Sequence, residues 1–137
     1  MTHRLAWLAP ALLTATLVAT PARASDTEAM EAYLDFVEYH GGTIAPTQIP
    51  EADWPGFFII DARDAGQFSS GHIPGAHNIE WRRVLAERAS IPTDKPVLIY
   101  CNTGSLSAQA GFALRVAGHE NVRILQGGFE AWKANRK

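Results

Sequence analysis

The chain has 137 residues, 47% apolar and 19% charged, enough for one packed core and too few for two. Twelve Lys and Arg stand against fourteen Asp and Glu, a formal charge of −2, so the basic surplus that nucleic-acid binding requires is missing. The single cysteine, Cys101, excludes an intrachain disulfide framework, a cysteine-built zinc cage and an iron–sulfur cluster supplied by this chain alone.

Residues 1–24 open with Arg4, continue as an apolar run from Leu5 to Ala19, and end in Pro21 and the small-x-small trio Ala22-Arg23-Ala24. This is the pattern of a secretory signal peptide with cleavage before Ser25. The run of about 15 apolar residues, interrupted by Pro10 and several Thr, falls short of the roughly 20 that a spanning helix needs. No cysteine stands at the processing site to carry a lipid, and Arg4 has no twin. The expectation is general secretion to a periplasmic or extracellular location, with no membrane attachment after cleavage. The mature chain, residues 25–137, is expected to be a single domain.

Ser25-Asp26-Thr27-Glu28 has the S-x-x-E form of a capping box, and Met30, Tyr33, Leu34 and Val37 follow at helical spacing. A helix is predicted from there to about His40, stopped by Gly41-Gly42. Thr43 to Ala45 suggests a short strand, followed by a connection carrying Pro46, Pro50 and Pro55. Phe57-Phe58-Ile59-Ile60 is an apolar, β-rich run ending in Asp61, as expected of a strand buried on both faces. Asp64 to Ser70 reads as a short helix closed by Gly71, and Ala76 to Ile79 as a brief strand. Trp81 to Ala89 is helical in composition, with Trp81, Val84 and Leu85 on one face.

Pro96 to Tyr100 is a second buried strand and delivers Cys101. Leu106 to Ala117 is predicted helical with Gly118 as its stop, Val122 to Leu125 a third buried strand, and Phe129 to Asn135 a last helix after a Gly127-Gly128 turn. Short apolar strands alternating with helices indicate an α/β domain around a mostly parallel sheet.

In such sheets ligands bind at the carboxyl edge, where Cys101 sits. The polar loop Asn102-Thr103-Gly104-Ser105 is small enough to curl its N–H groups inward, and the helix that follows points its positive end at the same space. Both effects lower a thiol pKa and make Cys101 a nucleophile; position alone is equally compatible with a buried structural cysteine. Asp61 lies at a strand end facing this edge. Arg63 is read as the partner of a neighbouring carboxylate and as a candidate cation for an anionic substrate.

Taken together, Asp61-Ala62-Arg63, then Gly71-His72-Ile73-Pro74-Gly75-Ala76-His77-Asn78-Ile79, then Cys101-x-x-Gly104-x-x-Ser107, then Leu125-Gln126-Gly127-Gly128-Phe129-x-x-Trp132 resemble the rhodanese family. The resemblance runs from about Thr43 to Lys133. It implies a rhodanese-like α/β domain, a five-stranded mostly parallel sheet flanked by helices on both faces, with no cofactor. It also implies sulfurtransferase activity in which Cys101 carries a persulfide between a small sulfur-containing donor, such as thiosulfate, and a thiol or cyanide acceptor. The N–H groups of Asn102 to Leu106 would form the anion cradle, with the hydroxyls of Thr103 and Ser105 as extra donors, and Ser107 hydrogen-bonding at the helix start. In this family the Gly-His-Ile-Pro-Gly segment is a structural turn, so His72 and His77 are not read as metal ligands and no metal site is expected.

One departure stands out: many active relatives carry a cationic or hydroxyl residue where this chain has Leu106, and no Lys or Arg lies between Cys101 and Ala110. Two other readings compete. Phosphatases that share the fold need Cys-x5-Arg, but here the sixth residue after Cys101 is Ser107. A non-catalytic rhodanese-like module would bind a sulfur species or a protein partner without turnover; Leu106 favours it, and Cys101 with Gly104 opposes it. His40 and His119 flank expected helix ends and are read as partners of the last carbonyls, and Trp54, Trp81 and Trp132 as core or rim packing.

Overall fold

The computed structural model of the chain describes residues 25–136; the expected signal peptide, residues 1–24, lies outside the described residues. Ser25 caps the first helix, α1 (Asp26–Phe36), through a reciprocal capping box: its hydroxyl accepts from the Glu28 N–H at 3.2 Å and its own N–H donates to the Glu28 carboxylate at 2.6 Å. α1 ends at Phe36 rather than near His40, because Val37 turns extended and the chain reverses through Gly41 and Gly42, both at positive φ. His40 accepts from the Gly42 N–H at 3.2 Å and pairs with Glu38, instead of meeting the helix carbonyls. His119 meets a last-turn carbonyl of the helix before it through its backbone N–H, which donates to Leu114 at 3.0 Å, while its ring is buried with no partner for Nδ1 among the described residues.

After α1 come β1 (Thr43–Ile44), β2 (Phe58–Asp61), α2 (Ala65–Ser70), β3 (His77–Asn78), β4 (Val97–Tyr100), α3 (Ser105–Val116), β5 (Val122–Leu125) and α4 (Gly128–Ala134). The five strands form one sheet in the order β1-β5-β4-β2-β3, and every pairing is parallel. β4 lies centrally and is buried at all four positions, which accounts for its unbroken apolar run. Alternation along β2 and β4 divides the core into two layers. Ile60 and Ile99 pack with Ala110 and Leu114 of α3, while Ile59, Leu98 and Tyr100 face Phe129 and Trp132 of α4. Trp54 joins the second layer from a six-residue 3-10 turn, Glu51–Gly56, inside the Pro-rich connection.

The helix expected over Trp81–Ala89 is absent; the segment holds two 3-10 turns, Trp81–Arg83 and Arg88–Ser90. Its apolar face is covered only in part: Val84 and Trp81 pack on the core layer that holds Ala110 and Leu114. Val84 is buried but Leu85 is 42% exposed, so a longer helix would gain little burial. The Trp81 N–H is also engaged by the Ala62 carbonyl at 3.0 Å, which ties the segment to the end of β2.

Candidate active site

Cys101 follows the last residue of β4, at the carboxyl edge of the sheet and immediately before α3. Gly104, at φ +109°, makes the reversal that brings the chain back over the sulfur, a conformation that L side chains adopt only with strain. As a result the Gly104 N–H lies 3.2 Å from Sγ, and the Ser107 N–H and Ser107 hydroxyl each lie 3.5 Å from it. Cys101 is 2% exposed and Ser107 fully buried. Burial pushes the Cys101 thiol up. The Ser107 hydroxyl, the Ser107 and Gly104 N–H groups and the Thr103 N–H together outweigh it, so the thiol lies below its ordinary value. The positive end of the twelve-residue α3 acts in the same direction.

The donors differ in part from the expected set. Of the run Asn102–Leu106, the Thr103 and Gly104 N–H groups bear on the sulfur, and Ser107, beyond the run, adds both its N–H and its hydroxyl. The side chains of Thr103, Ser105 and Leu106 form the exposed rim. Asn102 is a strut: its side-chain amide donates to Gln67 of α2 at 2.6 Å, and its Oδ1 lies 3.4 Å from the Arg63 guanidinium.

Asp61 is fully buried, with its carboxylate held by the Arg63 backbone N–H at 3.0 Å, by the Arg63 guanidinium from Nε at 2.9 and 3.2 Å and Nη2 at 2.6 Å, and by the Tyr100 hydroxyl at 2.6 Å. Arg63 also donates to the Gly71 carbonyl at 2.7 Å, and its guanidinium stacks 4.2 Å from the Phe129 ring centre. Asp61 is therefore joined to the loop through Arg63, whose guanidinium reaches Asn102. The Tyr100 hydroxyl in turn accepts from the Ile73 N–H at 3.1 Å. Burial, then the bond to Asp61, pushes this phenol well above its ordinary value, so it stays protonated as a donor.

Sequence reasoning missed the role of the Gly127-Gly128 turn. The first N–H groups of α4 donate to the carbonyls of Cys101 and Asn102, from Phe129 at 2.8 Å and Glu130 at 3.1 Å. A Cβ on Gly128, which has φ +58°, would collide with both of those carbonyls. The paired glycines were the available signal, since only glycine fits both the positive φ and that approach. His72 stacks on Phe68 and His77 on Phe58. Among the described residues no three His, Cys, Asp or Glu side chains gather as a metal site.

Residues 47–135 match the rhodanese-like domain family. The chain belongs to that family. It is 33% identical over 91 residues to the thiosulfate sulfurtransferase GlpE of Pseudomonas aeruginosa, a match covering 66% of this chain and 83% of GlpE. It is 39% identical over 74 residues to YqhL of Bacillus subtilis, an uncharacterized protein, covering 54% of this chain and 59% of YqhL. In three dimensions it is similar to the rhodanese-like domain of the Anabaena Alr3790 protein, with a TM-score of 0.63 and 29% identity over 69% of this chain and 75% of that one. The rhodanese domain is thus of a sulfurtransferase family, and its sheet and helices are those the sequence resemblance implied.

Proposed function

We propose that this rhodanese domain is an exported sulfurtransferase that carries a sulfane sulfur on Cys101. The observation that carries the reading is the cradle itself: one buried thiol, at the end of the central strand, held by donors that favour its thiolate. With thiosulfate as donor, the Cys101 thiolate attacks the outer sulfur. A Cys101–sulfur bond forms, the bond to the inner sulfur breaks, and its electron pair leaves with sulfite. An acceptor thiolate or cyanide then attacks the outer sulfur of the persulfide and returns Cys101 to the thiolate. Polysulfide and thiol persulfides fit the same step, the thiol persulfide with a smaller charge to accommodate. Export rests on the signal-like pattern of residues 1–24.

Intact-mass measurement after exposure to thiosulfate, polysulfide and a thiol persulfide in turn tests the reading. The mature protein is expected to gain one sulfur atom from at least one donor, and folded Cys101→Ser protein none, because a hydroxyl is barely ionised at neutral pH. A wild-type protein that takes up no sulfur from any of them contradicts it.

A further inference from the structure

The Ser107 hydroxyl has one proton and two acceptors within reach, the Gly104 carbonyl at 3.1 Å and Cys101 Sγ at 3.5 Å. Both are inside a site from which water is largely excluded, since Ser107 has no exposed surface and Cys101 has 2%. A hydroxyl in that position donates to whichever acceptor carries more charge. Toward a neutral sulfur the carbonyl is the better and nearer partner; toward a thiolate the sulfur is, because a hydrogen bond to a charged acceptor is roughly twice as strong.

We propose that Ser107 is a catalytic residue whose hydroxyl follows the charge on Sγ and so acts chiefly in the unloading half of sulfur transfer. This rests on the reading of Cys101 as a persulfide carrier. In the persulfide, Sγ is bonded to the outer sulfur and is neutral, so the hydroxyl turns to the Gly104 carbonyl. On unloading, an acceptor thiolate attacks the outer sulfur after that sulfur, anionic when first transferred, has taken a proton from solvent. A bond forms from acceptor to outer sulfur, which keeps its proton, the bond from Sγ to outer sulfur breaks, and its electron pair stays on Sγ as the thiolate. The charge develops on the atom that the Ser107 hydroxyl can reach. Stabilising it lowers the leaving-group pKa, and low-pKa thiols leave faster. The Gly104 and Ser107 N–H groups are fixed and cannot discriminate in this way, since their directions do not change with the state of the sulfur.

Ser107→Ala removes one oxygen from a buried site and leaves the Gly104 carbonyl with its Ala108 N–H partner at 2.8 Å, so the variant is expected to fold and melt near wild type. The charged groups bordering the loop stay in place: Asp61 paired with Arg63 behind Asn102, and Glu130 paired with Lys133 on α4. Two readouts are then taken. The first is the pH profile of Cys101 alkylation by iodoacetamide, which involves no sulfur transfer; its midpoint is expected to rise by about one pH unit in Ser107→Ala. The second is the single-turnover rate at which purified persulfide-loaded protein passes its sulfur to a thiol, expected to fall about threefold or more. An unchanged alkylation midpoint overturns the proposal, and so does a shifted midpoint with an unchanged unloading rate. Failure of the wild type to load from any donor would instead defeat the carrier reading, while the alkylation profile would still report on the hydroxyl.

Discussion

The rim of the cradle is neutral. Leu106 occupies the position at which many relatives carry a cation or hydroxyl, and it is 37% exposed beside the loop rather than packed beneath it. The guanidinium of Arg63 is already engaged by Asp61, the Gly71 carbonyl and Asn102. Thiosulfate is a dianion, so a cradle of uncharged donors holds it less tightly than one with a charge-assisted partner. Leu106→Arg is therefore expected to strengthen thiosulfate binding by about 1.5–3 kcal/mol, a KM about tenfold lower or better. A singly charged thiol persulfide should gain less, and the effect should shrink as salt rises. Steady-state kinetics with the two donors check this; equal changes for both would mean that charge on the rim does not set donor choice. Because the resting thiol lies below its ordinary value, loading below that value should rise with pH and level off earlier than for an unperturbed cysteine.

Two glycine-started helices hold the loop between them, α3 through donors to the sulfur and α4 through donors to the carbonyls of Cys101 and Asn102. Gly128→Ala should cost about 2–4 kcal/mol and impair loading, since its Cβ would displace those two carbonyls at a positive φ. Gly118→Ala, also at positive φ but facing open space, should cost about 1 kcal/mol and leave loading unchanged. Denaturant melts of the two variants test the contrast; equal losses would mean that φ alone, not the approach to the loop, makes Gly128 necessary. At this scale the strands were legible, because uninterrupted apolar runs ending in Asp61 and Cys101 mark fully buried parallel strands. The Trp81–Ala89 segment was not, because helical spacing records which residues could share a face and not how much of it is covered, and here Leu85 is left exposed beside the packed Trp81 and Val84. The reach of Ser107 back to the sulfur was also hidden, since it depends on the loop reversing at Gly104. The pairing of Asp61 with Arg63 was half legible: a carboxylate partner was expected, but not its burial beneath Tyr100.

For the whole molecule, the family match covers residues 47–135, while residues 25–46 add α1, whose Tyr33 packs edge-on against Phe112 of α3 at 5.1 Å. The capping box begins at Ser25, where the expected processing would place the new N-terminus. N-terminal sequencing of the protein from the extracytoplasmic fraction should therefore begin at Ser25, and recovery of the unprocessed chain from the cytoplasm would contradict export. The central claim is that one thiol carries sulfur from donor to acceptor. It is tested most directly by loading the mature protein, removing all free donor, and adding cyanide. The account predicts one equivalent of thiocyanate per Cys101 in a single turnover, and none from folded Cys101→Ser protein. Thiocyanate formed by the Ser variant, or none formed by a loaded wild type, would contradict it.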